Sequence, residues 1–134
     1  MLLSILFFTI ASICNALMDT LQFHWYKFRW KKQVNYQYWN PAVSWENKYI
    51  NSNPKDGFKY KTPWGFMANF LDAWHLFKMI MIISLALAVV CFPIGFKVCV
   101  FNNYWLNRVL WMAILGVAWN VPFNIFFNYI FVKK

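Results

Sequence analysis

Aspartate and histidine residues lie beside long apolar runs in this sequence, where charged groups are otherwise rare. Asp19 and His24 follow the first run, and Asp72 and His75 precede the second. Imidazole and carboxylate groups together are typical ligands of zinc or iron. They also transfer protons, since histidine titrates nearest to neutral pH. These four residues are therefore candidate acid–base groups, or ligands of a divalent metal such as Zn, Fe or Mn.

The spacing of the polar residues predicts which of them share a helix face. Asn69, Asp72 and His75 follow one another at intervals of three residues, which would place them on one face of the second helix. Asn15 and Asp19 share a face of the first helix through their i, i+4 spacing. His24 lies five residues after Asp19, an interval that does not place two residues on one helix face. It joins Asn15 and Asp19 only if the helix ends or bends there.

Asparagines also mark the third apolar run. Asn120, Asn124 and Asn128 recur every four residues and would form one stripe along a helix. Pro122, within this stripe, is expected to free a backbone carbonyl towards the polar groups. We predict that the asparagines orient the four candidate residues. The predicted orienting residues are Asn15, Asn69, Asn120, Asn124 and Asn128.

The same polar residues also fit a purely structural role. An aspartate at a helix N-terminus is stabilised by the helix dipole, and asparagines in membrane bundles often bond one helix to another. No HExxH, Walker A, GxSxG or zinc-ribbon pattern occurs in the sequence. A structural network and a chemical site therefore both remain open.

The composition excludes an ordinary soluble domain. Of the 134 residues, 61% are hydrophobic, 23% are aromatic and only 13% are charged, against about 25% charged in a typical soluble domain. The three cysteines form no CxxC pair, which favours free thiols over a disulfide framework. These features predict a single all-α membrane domain.

Three apolar segments are long enough, or nearly so, to cross a hydrocarbon core of about 30 Å. The first lacks a basic N-terminal region, and we interpret it as an uncleaved anchor. Pro93 and Gly95 are expected to end or kink the second helix. The predicted fold is a bundle of three transmembrane helices, at about 1–24, 68–95 and 106–132, with an interfacial loop at about 25–66.

The basic residues predict an orientation in the membrane. Of the thirteen Lys and Arg residues, eleven lie in the loop, at the start of the second helix or at the C-terminus, while only Lys97 and Arg108 lie on the opposite side. Because basic residues are retained on the cytoplasmic side, the loop and C-terminus are predicted to be cytoplasmic. The N-terminus would then lie on the outer side of the cell inner membrane.

The loop alternates aromatic and basic residues in the stretch "FHWYKFRWKK". Such a pattern favours contact with anionic lipid headgroups, whereas RNA binding is disfavoured beside spanning helices. In "WNPAVSWENKYI", Asn40 is expected to cap a short helix that has Pro41 in its first turn. The predicted headgroup-binding residues are Lys27, Arg29, Lys31, Lys32 and Lys78.

Three quoted stretches carry a resemblance to a group of proteins. "NALMDTLQFHW", "WNPAVSWENKY" and "DAWHLFK" resemble segments of small uncharacterised membrane proteins from Bacteroidota and their phages, over residues 15–78. The resemblance implies no activity, substrate or cofactor. It implies only that Asp19, His24, Asp72 and His75 belong to one set.

Three functions follow from these observations. The first is a structural or accessory membrane subunit, with a membrane-protein partner or a second copy of the chain. The second is a metal-assisted hydrolase or transferase that acts on lipid headgroups at the membrane surface. A holin-like factor ranks third, because the four glycines give no expected small-residue packing face.

Overall fold

Three long apolar helices dominate the computed structural model, which describes residues 2–60, 67, 69–91 and 102–133. By length and composition, each of the three can cross a membrane. This confirms the predicted all-α architecture. The long helices are α1 (Leu2–His24), α4 (Ala73–Val90) and α5 (Tyr104–Ile125), and a π-helical segment, Phe126–Phe131, continues α5.

Helix α1 is the central element of the bundle, because it packs against both α4 and α5. Its buried face consists largely of small residues, among them Ala11, Ser12, Ala16 and Thr20. Small side chains let helix backbones approach closely where lipid supplies no hydrophobic driving force. The expectation that no small-residue packing face exists is therefore wrong: alanine, serine and threonine form one, and it is used within the chain.

Hydroxyl groups of α1 tie it to both neighbouring helices. The Ser4 hydroxyl donates to the carbonyl of Ala88 on α4 at 2.6 Å, and the Thr9 hydroxyl donates to the carbonyl of Ala118 on α5 at 3.5 Å. Pro122 has no N–H to offer the Ala118 carbonyl four residues earlier. The proline therefore frees a carbonyl, as predicted, but α1 and not the polar residues takes it up.

The end of α1, the start of α4 and the end of α5 meet at one end of the bundle. An isolated antiparallel bridge pairs Phe28 with Val132, and the Arg29 amide donates to the Phe131 carbonyl at 2.8 Å. The Asn47 side chain donates to the Leu71 carbonyl at 2.8 Å, just before α4. The loop is thus fastened to two of the three long helices.

Aromatic rings form a compact core where the loop covers this end. Phe28 is only 1% exposed and stacks on rings at centroid distances of 5.6 and 6.0 Å. These rings were expected to lie in the headgroup layer, yet several pack on the bundle instead, because the Phe28–Val132 bridge draws them inward. We call this cluster the aromatic cap; its members are Trp25, Phe28, Trp30, Trp39 and Phe131.

The loop itself is built from short helical turns. The Asn40 side chain accepts from the Ala42 amide at 3.2 Å with Pro41 in the first turn, which confirms the predicted cap. Asn51 has φ 53° and Ser52 has φ 56°, as suits a tight reversal. The elements are α2 (Tyr36–Trp39), α3 (Pro41–Ser44) and the 3₁₀ turns Trp25–Lys27, Trp45–Lys48, Ile50–Ser52 and Pro54–Asp56.

Several predictions concern residues outside the described ranges. They include the kink assigned to the second helix and some basic residues used for the orientation. Cys14 and Cys91, by contrast, are described and are free thiols, as predicted. The residues that lie outside are Lys61, Pro93, Gly95, Lys97, Cys99 and Lys134.

Candidate functional site

Asp72 caps the N-terminus of α4 and holds His75. Its backbone is extended, with φ −148° and ψ 156°, so its side chain can fold back over the first turn. Oδ1 accepts from the His75 amide at 2.8 Å, and Oδ2 lies 2.7 Å from Nδ1 of the His75 ring. The prediction that these two residues lie together is confirmed.

The two members of this pair differ in exposure. The Asp72 side chain is 6% exposed and that of His75 is 37% exposed. Burial raises the pKa of the nearby Tyr38 phenol, and the negative charge of Asp72 raises it further. If Nδ1–H of His75 donates to Asp72, the Nε2 atom is left as a hydrogen-bond acceptor and base.

A shallow pocket of about 180 Å³ opens beside the Asp72–His75 pair. Helix α3 supplies Pro41 and Ser44 to its wall, and the adjoining Trp45 is held by a 3.1 Å bond from its Nε1 to the Ala42 carbonyl. Sequence reasoning missed Gln22 and Ser44 here, since no local pattern marks them and only the folding of the loop brings them to α4. The pocket is lined by Gln22, Pro41, Ser44, Trp45, Asp72, Trp74 and His75.

Asp19 lies half-buried on α1, five residues before His24, which is the last residue of that helix. The joint action of Asp19 and His24 stays a prediction. The His24 ring packs edge-on against Phe127 at 5.2 Å and lies 6.3 Å from the Tyr26 ring. This histidine is therefore set among aromatic rings of the loop and of the π-helical segment.

The predicted metal centre does not form. Among the described residues, no group of three or more His, Cys, Asp and Glu side chains is arranged to hold a metal ion. Of the four candidates, Asp72 and His75 are joined by a hydrogen bond, whereas Asp19 and His24 lie near the end of α1. The prediction of one Zn, Fe or Mn site made by all four is thus wrong.

Asn69 and Asn15 were predicted to orient these residues. Helix α4 begins at Ala73, so Asn69 lies before the helix, and the predicted shared face does not extend to it. The cause is the capping role of Asp72, which fixes the helix start. Asn15 lies half-buried on α1, one turn before Asp19.

The asparagine stripe runs along an exposed face of α5 and of the π-helical segment that continues it. Asn120 donates to the Gly116 carbonyl at 2.9 Å, Asn124 to the Asn120 carbonyl at 2.8 Å and Asn128 to the Asn124 carbonyl at 3.1 Å. These carboxamides bond to their own helix and not to the Asp72–His75 pair. We call Asn120, Asn124 and Asn128 the asparagine stripe below.

The five predicted headgroup-binding residues are all exposed. Arg29 donates to the Tyr129 carbonyl at 2.7 Å, and Lys31 donates to the Tyr26 carbonyl at 2.7 Å. The Lys27 and Lys78 ammonium groups lie over aromatic rings at 5.8 and 5.0 Å. Arg29 therefore also has a structural task, because it binds a carbonyl near the end of α5.

No family model, curated protein or solved structure matches this chain. The fold and the composition define its class: a small all-α protein with three helices that can span a membrane. Its distinguishing features are the capped Asp72–His75 pair beside a pocket and the asparagine stripe on an outer helix face.

Proposed function

We propose that this protein is a structural or accessory subunit of the cell inner membrane that binds another membrane-embedded helix through α5. Its N-terminus would lie outside, with the basic loop and the C-terminus in the cytoplasm. The distribution of Lys and Arg residues supports this orientation. The resemblance to small membrane proteins of Bacteroidota and their phages stays a prediction and adds no activity.

One observation carries the proposal: the most peripheral long helix has a polar outer face. None of the described residues of α5 is buried, and the asparagine stripe is exposed within an apolar span. Asn120 lies 11 residues before the end of that span, about 16 Å along a helix axis at 1.5 Å per residue. At this depth its carboxamide would lie in hydrocarbon, and the hydrogen-bonding capacity that remains beyond its bond to the Gly116 carbonyl would need a polypeptide partner.

The basic loop supports a second contact, with anionic lipid headgroups. The headgroup-binding residues are exposed and lie at the end of the bundle where the loop meets all three long helices. Each Lys or Arg near an anionic surface adds about 1 kcal/mol of attraction. Binding of this kind would hold the loop at the cytoplasmic surface.

Site-specific photo-crosslinking in intact membranes tests the binding of α5 to another chain. A photoreactive residue at Val121, beside the asparagine stripe and 49% exposed, is expected to give a protein adduct because a partner helix covers this face. The matched control is Ile82 on α4, which is 54% exposed and is expected to react with lipid. The products are resolved by mass on denaturing gels.

The outcomes of this experiment are distinct. A protein adduct from Val121 together with none from Ile82 supports the proposal. If both positions react equally and with lipid alone, this face of α5 contacts lipid and no partner helix. The subunit proposal would then fail.

A second candidate function rests on the Asp72–His75 hydrogen bond at 2.7 Å beside the pocket. A histidine held by a carboxylate can take a proton from water as that water attacks an ester carbonyl, and can return it to the departing alcohol. Trp45 and Trp74 line the same pocket and are suited to contact acyl chains. The reaction would be metal-independent hydrolysis of a lipid ester.

Hydrolysis of a fluorogenic phospholipid in vesicles tests this second candidate. We expect His75→Ala to reduce the rate at least 100-fold, in the range typical for loss of a general base. His24→Ala, which alters the only other histidine, should leave most of the rate, and chelators should have no effect. Absence of turnover by the unaltered protein, or equal loss in both variants, would dismiss the enzyme interpretation.

A further inference from the structure

The exposed face of α5 holds a glycine next to the asparagine stripe. Extending the asparagine stripe by one turn towards the N-terminus reaches Gly116, whose carbonyl accepts from Asn120. A methyl group placed on Gly116 would meet no atom within 4 Å. The packing of this chain therefore does not require glycine at that position, whereas close approach of an outside helix would use it.

A carboxamide is self-complementary, since it has two N–H donors and an oxygen that accepts. Each side chain of the asparagine stripe donates to a carbonyl of its own helix, and Asn128 also donates to Oδ1 of Asn124 at 3.4 Å. Asn120 and Asn124 each keep one N–H, and each carboxamide oxygen keeps acceptor capacity, for a facing carboxamide. The four-residue interval repeats about every 6 Å along the axis. A second stripe with the same interval matches it at each level.

Electrostatic repulsion does not oppose the pairing of two α5 helices. Residues 109–132 carry no charged side chain, so two α5 helices can meet along this length without like-charge repulsion. Copies inserted in one membrane share one orientation, so their α5 helices would run parallel. A two-fold axis along the membrane normal then places each asparagine opposite its own counterpart.

We propose that the protein forms a parallel two-fold dimer through Gly116 and the asparagine stripe of α5. This inference rests on the proposed function and identifies the partner of α5 as a second copy of the chain. Asn124 lies at the centre of the contact, and Gly116 provides the close approach of the two backbones.

Dilution of labelled protein in lipid vesicles tests this dimer, with energy transfer between donor- and acceptor-labelled copies as the readout. We expect the combined Asn120→Leu, Asn124→Leu and Asn128→Leu variant to associate about 10- to 100-fold more weakly, because interhelical hydrogen bonds are lost. Gly116→Leu should weaken association similarly, although its side chain has free space within one chain. Val89→Leu, a change at a 73% exposed position on α4, should have no effect.

Disulfide crosslinking gives an independent test of the dimer in a variant that retains two of the three asparagines. With the native cysteines replaced by serine, Asn124→Cys is expected to form a disulfide-linked dimer under mild oxidation, because the two-fold axis brings this position against itself. Ile82→Cys on α4 is the control and should form no disulfide-linked dimer.

The possible results separate this inference from the proposed function. Loss of energy transfer in the stripe and Gly116 variants, with self-crosslinking at position 124, supports the dimer. A monomeric protein whose Val121 photo-adduct contains a different chain overturns the dimer but keeps the subunit function. Association that survives both the triple asparagine change and Gly116→Leu also overturns the dimer.

Discussion

Replacing Phe28 by alanine is expected to cost about 3–5 kcal/mol of folding free energy, the range for removing a buried phenylalanine ring. Phe28 is 1% exposed, and it lies at the centre of the aromatic cap. Its backbone belongs to the bridge that joins the loop to Val132. Without the ring, the aromatic cap keeps a cavity beside the bridge to Val132.

Thermal unfolding in detergent micelles measures this effect. A loss of 3–5 kcal/mol should lower the midpoint by about 10 °C or more for a chain of this size. The loop should also become more sensitive to protease, because it can open without unfolding the three long helices. Both readouts use the full chain.

The matched control is Phe23→Ala, which removes the same ring five residues earlier. Phe23 is 67% exposed, so its removal leaves no cavity and should change the midpoint by only a few degrees. If the Phe28 and Phe23 variants unfold at the same temperature, the loop does not pack on the bundle as the aromatic cap requires.

Replacing Ala88 by leucine is expected to destabilise the bundle by about 1–3 kcal/mol, the usual cost of overpacking. Ala88 is 4% exposed, and its carbonyl accepts the 2.6 Å bond from Ser4 on α1. Three added carbon atoms would push α4 away from α1 and lengthen that bond. The unfolding midpoint in detergent again gives the measurement, with helix content checked by circular dichroism.

Ala86→Leu provides a control on the same helix, two residues away. Ala86 is exposed, so a leucine there should project into lipid or detergent and leave the midpoint unchanged or slightly higher. Equal destabilisation by both changes would mean that α1 and α4 do not meet through the small-residue face. No destabilisation by Ala88→Leu would lead to the same conclusion.

The local rules of the sequence predicted the Asn40 cap of α3, which makes the expected side-chain bond. Asp72 was expected near the start of the second helix, and its side chain caps α4. Such bonds connect residues two or three positions apart, so no distant part of the chain is needed to place them. The start of α4 was nevertheless predicted about five residues early, because an apolar aromatic stretch continues before Asp72.

The composite site could not be predicted in the same way. Gln22, Ser44 and His75 meet at one pocket although they are far apart in the sequence. The asparagine stripe was read correctly as one helix face, but its periodicity does not say whether that face turns inward or outward. Which residues meet at the pocket, and whether the asparagine stripe faces inward or outward, depend on how α1, α4 and the loop pack around one another.

The sequence by itself determined that the chain has three helices long and apolar enough to span a membrane, because hydrophobic length and helical period are properties of single segments. It also determined the cap of α3 at Asn40. Only the tertiary structure decided that α1 lies at the centre, that the loop rings form a cap, and that the asparagine stripe stays outside. The physical reason is that small residues on α1 allow close packing with both neighbours, and this packing fixes which face of α5 is left for a partner.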